Sequence, residues 1–152
     1  MDAIGITIVI DTREQRPLLF SDRVQTVRAT VPSGADYTVL GHESEIGIER
    51  KSLDDLVGSL TANRARFARS LVKLRERQWR LILIEAPLTA MLAGWYHSKV
   101  NPSALLGSVC GIMTDGIPVC FADDATHAAQ LAERWLVKAA TRAGAVQWKT
   151  RT

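Results

Sequence analysis

Residues 6–10 read Ile6-Thr7-Ile8-Val9-Ile10, five β-branched side chains in succession. A branched Cβ restricts χ1 and suits the pleated surface of a sheet. A short run of this kind without polar alternation belongs to a strand buried in a sheet rather than to an amphipathic helix. The run ends at Asp11. A chain that starts this way is committed to a sheet, with an acid at the end of its first strand.

The remainder supplies the other layers. Val24 to Val31 alternates and is rich in Val and Thr, which predicts a second strand. Pro32-Ser33-Gly34 is a turn signal. Tyr37 to Leu40 reads as a third strand and Glu45 to Lys51 as a fourth, joined by a hairpin loop at Gly41 to Ser44. Ser52 is a helix N-cap, with Asp54 and Asp55 in the first turn where the helix dipole favours anions. Leu53, Leu56, Val57, Leu60, Phe67, Leu71 and Leu74 then form one apolar stripe. Thr61-Ala62-Asn63 either interrupts that helix or loosens it. Arg80 to Ile84 is a fifth strand, ended by Pro87, and Leu88 to Lys99 reads ambiguously as a short helix followed by a loop. A helix follows from Pro102, with Leu105, Leu106, Val109, Ile112 and Met113 on one side, until Gly116 stops it. Pro118 to Phe121 is a sixth strand. Asp123 or Asp124 caps a last helix carrying Ala128, Leu131, Ala132, Trp135, Leu136 and Ala139, and a basic tail follows Gly144. Early strands followed by alternating helix and strand predict an α/β fold with a central mixed β-sheet flanked by helices. The absence of repeats and linkers in 152 residues predicts a single domain spanning 1–152.

Composition narrows the class. No stretch reaches the length of a membrane span, and the N-terminus has no basic region leading into a signal core, so an intracellular, soluble protein is expected. Cys110 and Cys120 sit in apolar runs and are expected to be buried thiols in a reducing compartment. The net charge of +3 is mildly basic, but its distribution says more. Between Arg64 and Arg80 stand seven basic residues and one acid, Glu76. That is either a nucleic-acid contact or a solvated helix face.

The segment with chemical content is Glu45 to Lys51. Side chains alternate across a strand, so Glu49 and Lys51 share one face while Ile46 and Ile48 point into the core. Asp36 stands at the start of the hairpin partner of this strand, and Asp11 at the end of the first. Phosphodiester hydrolysis uses a divalent metal such as Mg²⁺, a hard cation held by carboxylate oxygens. The metal polarises the phosphate and helps generate hydroxide, and a nearby ammonium orients water or stabilises developing charge. Each signal alone is weak, because Glu49 and Lys51 in isolation make an ordinary surface ion pair. His42, His97 and His127 are too scattered to suggest a histidine metal site. Trp79 and Trp135 read as core. Trp95-Tyr96 is a half-buried loop anchor or, as the less expected reading, a surface that stacks on an unpaired base.

The elements Asp11-Thr12-Arg13-Glu14, Gly34-Ala35-Asp36-Tyr37 and Glu49-Arg50-Lys51-Ser52-Leu53-Asp54-Asp55 occur in order, each beside a predicted strand. Together they resemble the nuclease domain of XPF-type structure-specific endonucleases. The signature of that family is Gly-Asp, a spacer, Glu-Arg-Lys, three residues and Asp. Two departures stand out: Ala35 replaces the Gly before Asp36, and no tandem helix-hairpin-helix or helicase domain is present. The resemblance implies a nuclease domain with a restriction-endonuclease-like core, expected to be a stand-alone version, with a domain cut out of something longer as the alternative.

It implies that Asp36 and Glu49 bind Mg²⁺, for which Mn²⁺ substitutes, with Asp11 as a direct or water-bridged ligand and Glu14 close by. Lys51 sits near the attacking water. Arg13 and Arg50 contact phosphate or brace the carboxylates. Asp55 pairs with Arg50 or Lys51, or is simply favoured by the helix dipole. Arg64, Arg66 and Arg69 become candidates for DNA-backbone contact. The implied substrate is branched or flapped DNA. The alternatives are a non-catalytic DNA-binding partner of a nuclease and a restriction-like enzyme acting on ordinary duplex. A homodimer through the segment Ser103 to Met113 and the helix around Leu131, Trp135 and Leu136, or an unknown protein partner, would stand in for the missing module.

Overall fold

Alternating faces of one sheet build this fold. The computed structural model describes residues 5–144. Six strands, β1 (Thr7–Asp11), β2 (Gln25–Ala29), β3 (Tyr37–Val39), β4 (Ile46–Lys51), β5 (Trp79–Ile84) and β6 (Val119–Phe121), form a sheet in the order β2-β1-β3-β4-β5-β6. β1 runs parallel to β2, and β4, β5 and β6 are mutually parallel. Between these two parallel sets β3 is antiparallel to both neighbours. The helices are α1 (Leu53–Leu60), α2 (Arg64–Arg75), α3 (Leu88–Leu92), α4 (Pro102–Thr114) and α5 (Ala125–Arg142). This is the mixed sheet flanked by helices that the sequence predicts. The basic tail after Gly144 lies outside the described residues.

Strand alternation assigns each side chain to a layer. Ile8, Ile10, Tyr37, Ile46, Ile48, Leu81 and Leu83 point to one face, where Ala128, Ala132, Leu136 and Ala139 of α5 cover them. Small residues on α5 bring that helix close to the sheet. On the other face Ile82 and Ile84 meet Leu53, Leu56, Val57 and Leu60 of α1, Phe67 and Leu74 of α2, Met91 of α3, and Leu105, Val109 and Ile112 of α4. The run at residues 6–10 is thus buried on both sides, with Val9 joining Val31 and Ala35 on the second face. β2 is the opposite case: its five residues are all exposed, as fits an edge strand.

Caps and breaks follow the sequence signals. The Ser52 hydroxyl accepts from the Asp55 N–H at 3.1 Å, and the Asp124 carboxylate accepts from the His127 N–H at 2.9 Å. Thr61 leaves helical geometry at φ −123°, ψ −93°, so residues 61–63 separate α1 from α2. Gly116 ends the turn after α4 at φ +94°, a left-handed conformation suited to glycine. The expectation of two buried thiols is corrected: Cys110 is exposed and Cys120 only partly covered. The buried stripe of α4 is Leu105, Val109 and Ile112, and Cys110 lies one residue, about 100° of helix rotation, off it. Trp79 and Trp135 flank the first core half-buried. No helix of the described residues is long and apolar enough to cross a membrane.

One close approach ties the layers together. Arg77, between α2 and β5, is 2% exposed and crosses β4 at Gly47. A Cβ on Gly47 would stand 2.5 Å from Arg77 Cδ and 3.1 Å from Ala35 Cβ. The guanidinium cannot swing away, because Nε donates to Glu43 O at 3.0 Å and Nη2 to Pro32 O at 2.6 Å. Gly47→Ala is therefore expected to destabilise the protein by about 1–3 kcal/mol, the usual cost of overpacking. The shift of the urea unfolding midpoint measures it; an unchanged midpoint would mean that Arg77 yields freely.

Candidate active site

Register sets the site. Ile10 pairs with Tyr37, and Tyr37 with Ile48. The adjoining row consists of Asp11, Asp36 and Glu49, on three neighbouring strands or strand ends. The Asp11 N–H donates to Asp36 O at 2.9 Å, and the Asp36 N–H to Ile48 O at 2.8 Å, which fixes the row in the backbone. By alternation these acids face the α1 and α2 side, as does Lys51. Lys51 Nζ lies 3.4 Å from Glu49 Oε1 and 4.9 Å from the centre of the Phe67 ring. Phe67 belongs to α2, so the start of that helix, with exposed Arg64, Arg66 and Arg69, borders the lysine.

The three acids are not equivalent. Asp11 is 0% exposed, yet its carboxylate is fully engaged. Arg13 Nη2 donates to Oδ2 at 2.7 Å, Nε reaches both oxygens at 3.2 Å, and the Arg13 N–H adds a bond to Oδ1 at 3.0 Å. That guanidinium holds the Asp11 carboxyl below the usual range. Asp36 has no cationic partner. Burial, reinforced by the charge of Glu49, pushes its carboxyl up to about 8, against one stabilising N–H from Arg50 at 2.7 Å. Burial also raises Glu49, although Lys51 opposes the shift. Two desolvated acids repelling each other beside one ammonium are short of positive charge.

Arg50 points the other way. Its guanidinium bonds Glu85, Glu14 at 2.9 Å, the Arg16 carbonyl at 2.6 Å and the Tyr37 hydroxyl at 3.1 Å. The Tyr37 hydroxyl in turn donates to Glu14 at 2.7 Å and accepts from the Leu18 N–H. The implied set therefore divides: Asp11, Asp36, Glu49 and Lys51 share one face, with Arg13 bracing Asp11, while Glu14 and Arg50 knit the loop after β1 to the opposite face. The implied ion pair of Asp55 with Arg50 or Lys51 is corrected. Asp55 is exposed in the first turn of α1, and its N–H serves the Ser52 cap. Arg50 is already spent on Glu14 and Glu85, leaving the helix dipole as the reason for an acid there.

Arg77, Glu85 and Tyr37 carry roles that the sequence did not assign. Arg77 ties the turn preceding Asp36 to the turn following β3. Desolvation lowers its affinity for the proton, with only carbonyls as partners. The one signal for it was Gly47 inside a strand, a mark of close backbone approach.

A hard divalent cation fits Asp36 and Glu49: both offer carboxylate oxygens, and the two acids share only the Lys51 ammonium, which lies 3.4 Å from Glu49. Mg²⁺ needs no more than one or two carboxylates when water and phosphate complete its shell. Among the described residues no three His, Cys, Asp or Glu side chains converge as a ready-made metal cluster, and Asp11 is engaged by Arg13.

The family model described as the ERCC4 domain matches residues 10–134, from the end of β1 into α5. The chain belongs to the ERCC4 domain family. Its fold agrees: XPF from Aeropyrum pernix superposes with a TM-score of 0.71 at 22% identity, covering 96% of this chain and 68% of that one. XPF from Aeropyrum pernix in complex with DNA gives 0.68 at 22% identity, covering 91% and 66%. The chain thus has the restriction-endonuclease-like fold of those structures over about two thirds of their length. No curated protein sequence matches it. The replacement of the Gly before the ERCC4-type Asp is accommodated locally. Ala35 is extended at φ −70°, ψ 149°, and Gly34 takes the left-handed conformation at φ +75°.

A raised carboxyl makes stability fall with pH. Below its unfolded pKa the group is protonated in both states and costs nothing. As pH rises the unfolded chain ionises first, and stability is lost until the folded pKa is passed. In chelator, the melting temperature is expected to fall between about pH 4 and about pH 8, the upper bound set by Asp36 near 8. Asp36→Asn should flatten this slope and melt higher than the unsubstituted protein at the alkaline end. Parallel slopes for the two proteins would refute the assignment.

Proposed function

We propose that this chain is a Mg²⁺-dependent endodeoxyribonuclease that hydrolyses phosphodiester bonds in branched or flapped DNA. The observation that carries the reading is the pair of desolvated, mutually repelling acids Asp36 and Glu49 with Lys51 on the same face. Membership of the ERCC4 domain family supports it. So does the start of α2, which brings Arg64, Arg66 and Arg69 to the same border.

Asp36 and Glu49 hold the cation in this reading. A bound Mg²⁺ supplies polarisation of the scissile phosphate and a more acidic water. Asp11, whose two carboxylate oxygens are engaged by Arg13, would support the cation from behind Asp36 and Glu49 rather than hold it. Lys51, steadied by the Phe67 ring and by Glu49, presents its ammonium where the attacking water or the developing phosphate charge would lie. Arg13, whose side chain is 68% exposed, keeps donors for a phosphate oxygen. The α2 arginines bind backbone phosphate, an interaction that is salt-dependent and largely blind to sequence. Glu14, Arg50 and Glu85 act by holding the loop after β1, at a distance from substrate.

Self-association belongs to the proposal as well. Leu136 is fully buried under the sheet and cannot form a dimer face. Leu106, Cys110 and Met113 of α4 recur at i, i+4 and i+7 outside the buried stripe, and are the better candidates for an isologous contact.

A second reading, a non-catalytic DNA-binding partner, draws on the engagement of Asp11 by Arg13, which leaves two free acids rather than three. Cleavage assays separate the two. Labelled 3′-flap, fork and plain duplex DNA with Mg²⁺, Mn²⁺ or EDTA should show metal-dependent cutting that prefers branched DNA. Asp36→Ala should abolish it, and Lys51→Ala should slow it by about 10²–10³-fold, as for loss of one transition-state donor. Equal cutting of duplex would leave the chemistry and remove the structural preference. Binding without cutting in either metal would favour the partner reading.

Metal uptake should also release protons. With Asp36 near 8, a cation binding at pH 7 displaces a proton from the acid pair. Isothermal titration of Mg²⁺ in two buffers of different ionisation enthalpy should report that release, and Asp36→Asn should abolish it.

A further inference from the structure

Beyond the carboxylate face stands an aromatic ring that the fold does not use. Trp95 is 71% exposed, and among the described residues it is the only exposed aromatic side chain. This overturns its expected role as a half-buried anchor. That role falls to Tyr96, which packs against the second core and donates its hydroxyl to Val100 O at 2.6 Å. The loop is held at several points. Gly94 turns it at φ +75°, and the Trp95 N–H donates to Ala90 O at 3.0 Å. The His97 N–H donates to Asp54 Oδ1 at 2.8 Å, and His97 Nδ1 lies 2.8 Å from Asp54 Oδ2. Asp54 stands in the first turn of α1, three residues after Lys51. The outward ring is therefore fixed to the helix that begins where the catalytic strand ends. An exposed tryptophan on an anchored loop gains nothing from burial and has little conformational freedom left to lose on binding.

The charge around it selects a partner. No Asp or Glu occurs between Glu85 and Asp115, whereas His97 and Lys99 lie within four residues of Trp95. The nearest acid on α1, Asp54, is spent on His97. With Asp54 and His97 paired, Lys99 is left as the net charge of this loop, and a ring beside a cation with no free acid in its own segment suits a base whose phosphates are close by. We propose that Trp95 is a stacking platform for an unpaired base of the single-stranded arm of a branched nucleic acid, presented beside the α1 end of the cleavage site. This rests on the nuclease reading and gives it a means of sensing unpaired strand. Leu88 and Leu92, also exposed, add an apolar margin that a second copy of the chain would cover if the patch were an interface instead.

The test measures binding in EDTA, so that cutting does not intervene, of a splayed-arm DNA and a fully paired duplex. The proteins are the unsubstituted chain, Trp95→Leu, Trp95→Phe and Trp95→Ala, each checked for an unchanged melting temperature. Leucine keeps apolar bulk without a π-face. The expected result is a splayed-arm affinity reduced roughly tenfold in the Leu and Ala variants, near the lower part of the range for one stacked base. Phenylalanine should retain most of it, and duplex affinity should not move. Equal affinity of Trp95→Leu and the unsubstituted chain for splayed DNA would overturn the proposal. So would a parallel loss on duplex, or a self-association in sedimentation that Trp95→Ala removes. Unsubstituted protein that binds duplex with no preference for the splayed arm would overturn this proposal alone, whereas failure to bind either DNA would overturn the nuclease reading with it.

Discussion

The placement of β3 is the constraint on which the molecule turns. Tyr37–Val39 is only three residues long, yet it is the antiparallel splice between two parallel sets of strands. Three residues make few ladder bonds, so the splice depends on side chains from both faces. From one face Arg77 grips the carbonyls of Pro32 and Glu43, which bracket β3. From the other, Arg50 and Glu14 hold the Tyr37 hydroxyl. Both guanidiniums are desolvated, which is unfavourable without partners. Each is hydrogen-bonded through two of its nitrogens, and among the described residues no buried side-chain polar atom lacks a hydrogen bond. With β3 fixed, Asp11, Asp36 and Glu49 are brought into one row from positions far apart in the chain.

The electrostatics of that row contrast with those around it. The neighbours of Asp36 are paired: Asp11 has Arg13, and on the opposite face Glu14 and Glu85 have Arg50. Asp36 is desolvated beside a second carboxylate and has no cation of its own. A sheet built only for stability would place an apolar residue there. Such a conflict between local cost and global fold is characteristic of sites that await a ligand.

Much of the architecture was legible because it follows from periodicity and caps. The β-branched run, the Ser52 and Asp124 caps and the Gly116 stop all act over a few residues. The shared face of Glu49 and Lys51 needed only the period of a strand. What stayed hidden depends on long-range contact. Arg77 is one of seven basic residues between Arg64 and Arg80, and nothing local marks it as the buried one. Arg50 sits in a motif with two catalytic-type residues, but its partner Glu85 lies 35 positions away. Asp55 looked like a member of the site because it is near it in sequence, although its helix turns it outward. Trp95 was misread for the converse reason: an aromatic residue beside a tyrosine suggests an anchor, and only packing reveals which of the two is inside.

The alternation of Glu49, Arg50 and Lys51 has a consequence for how this sheet can vary. Neighbouring residues on β4 serve opposite faces, one set addressing the acids and the other the Arg50 network. A one-residue slip of β4 would send Arg50 into the acid row and turn Glu49 toward the apolar layer beneath α5. Both faces reject that arrangement at once, since each would lose its charge balance. The tripeptide is therefore also a register lock: the turn at residues 41–45 cannot gain or lose a residue in a way that shifts the strand's parity.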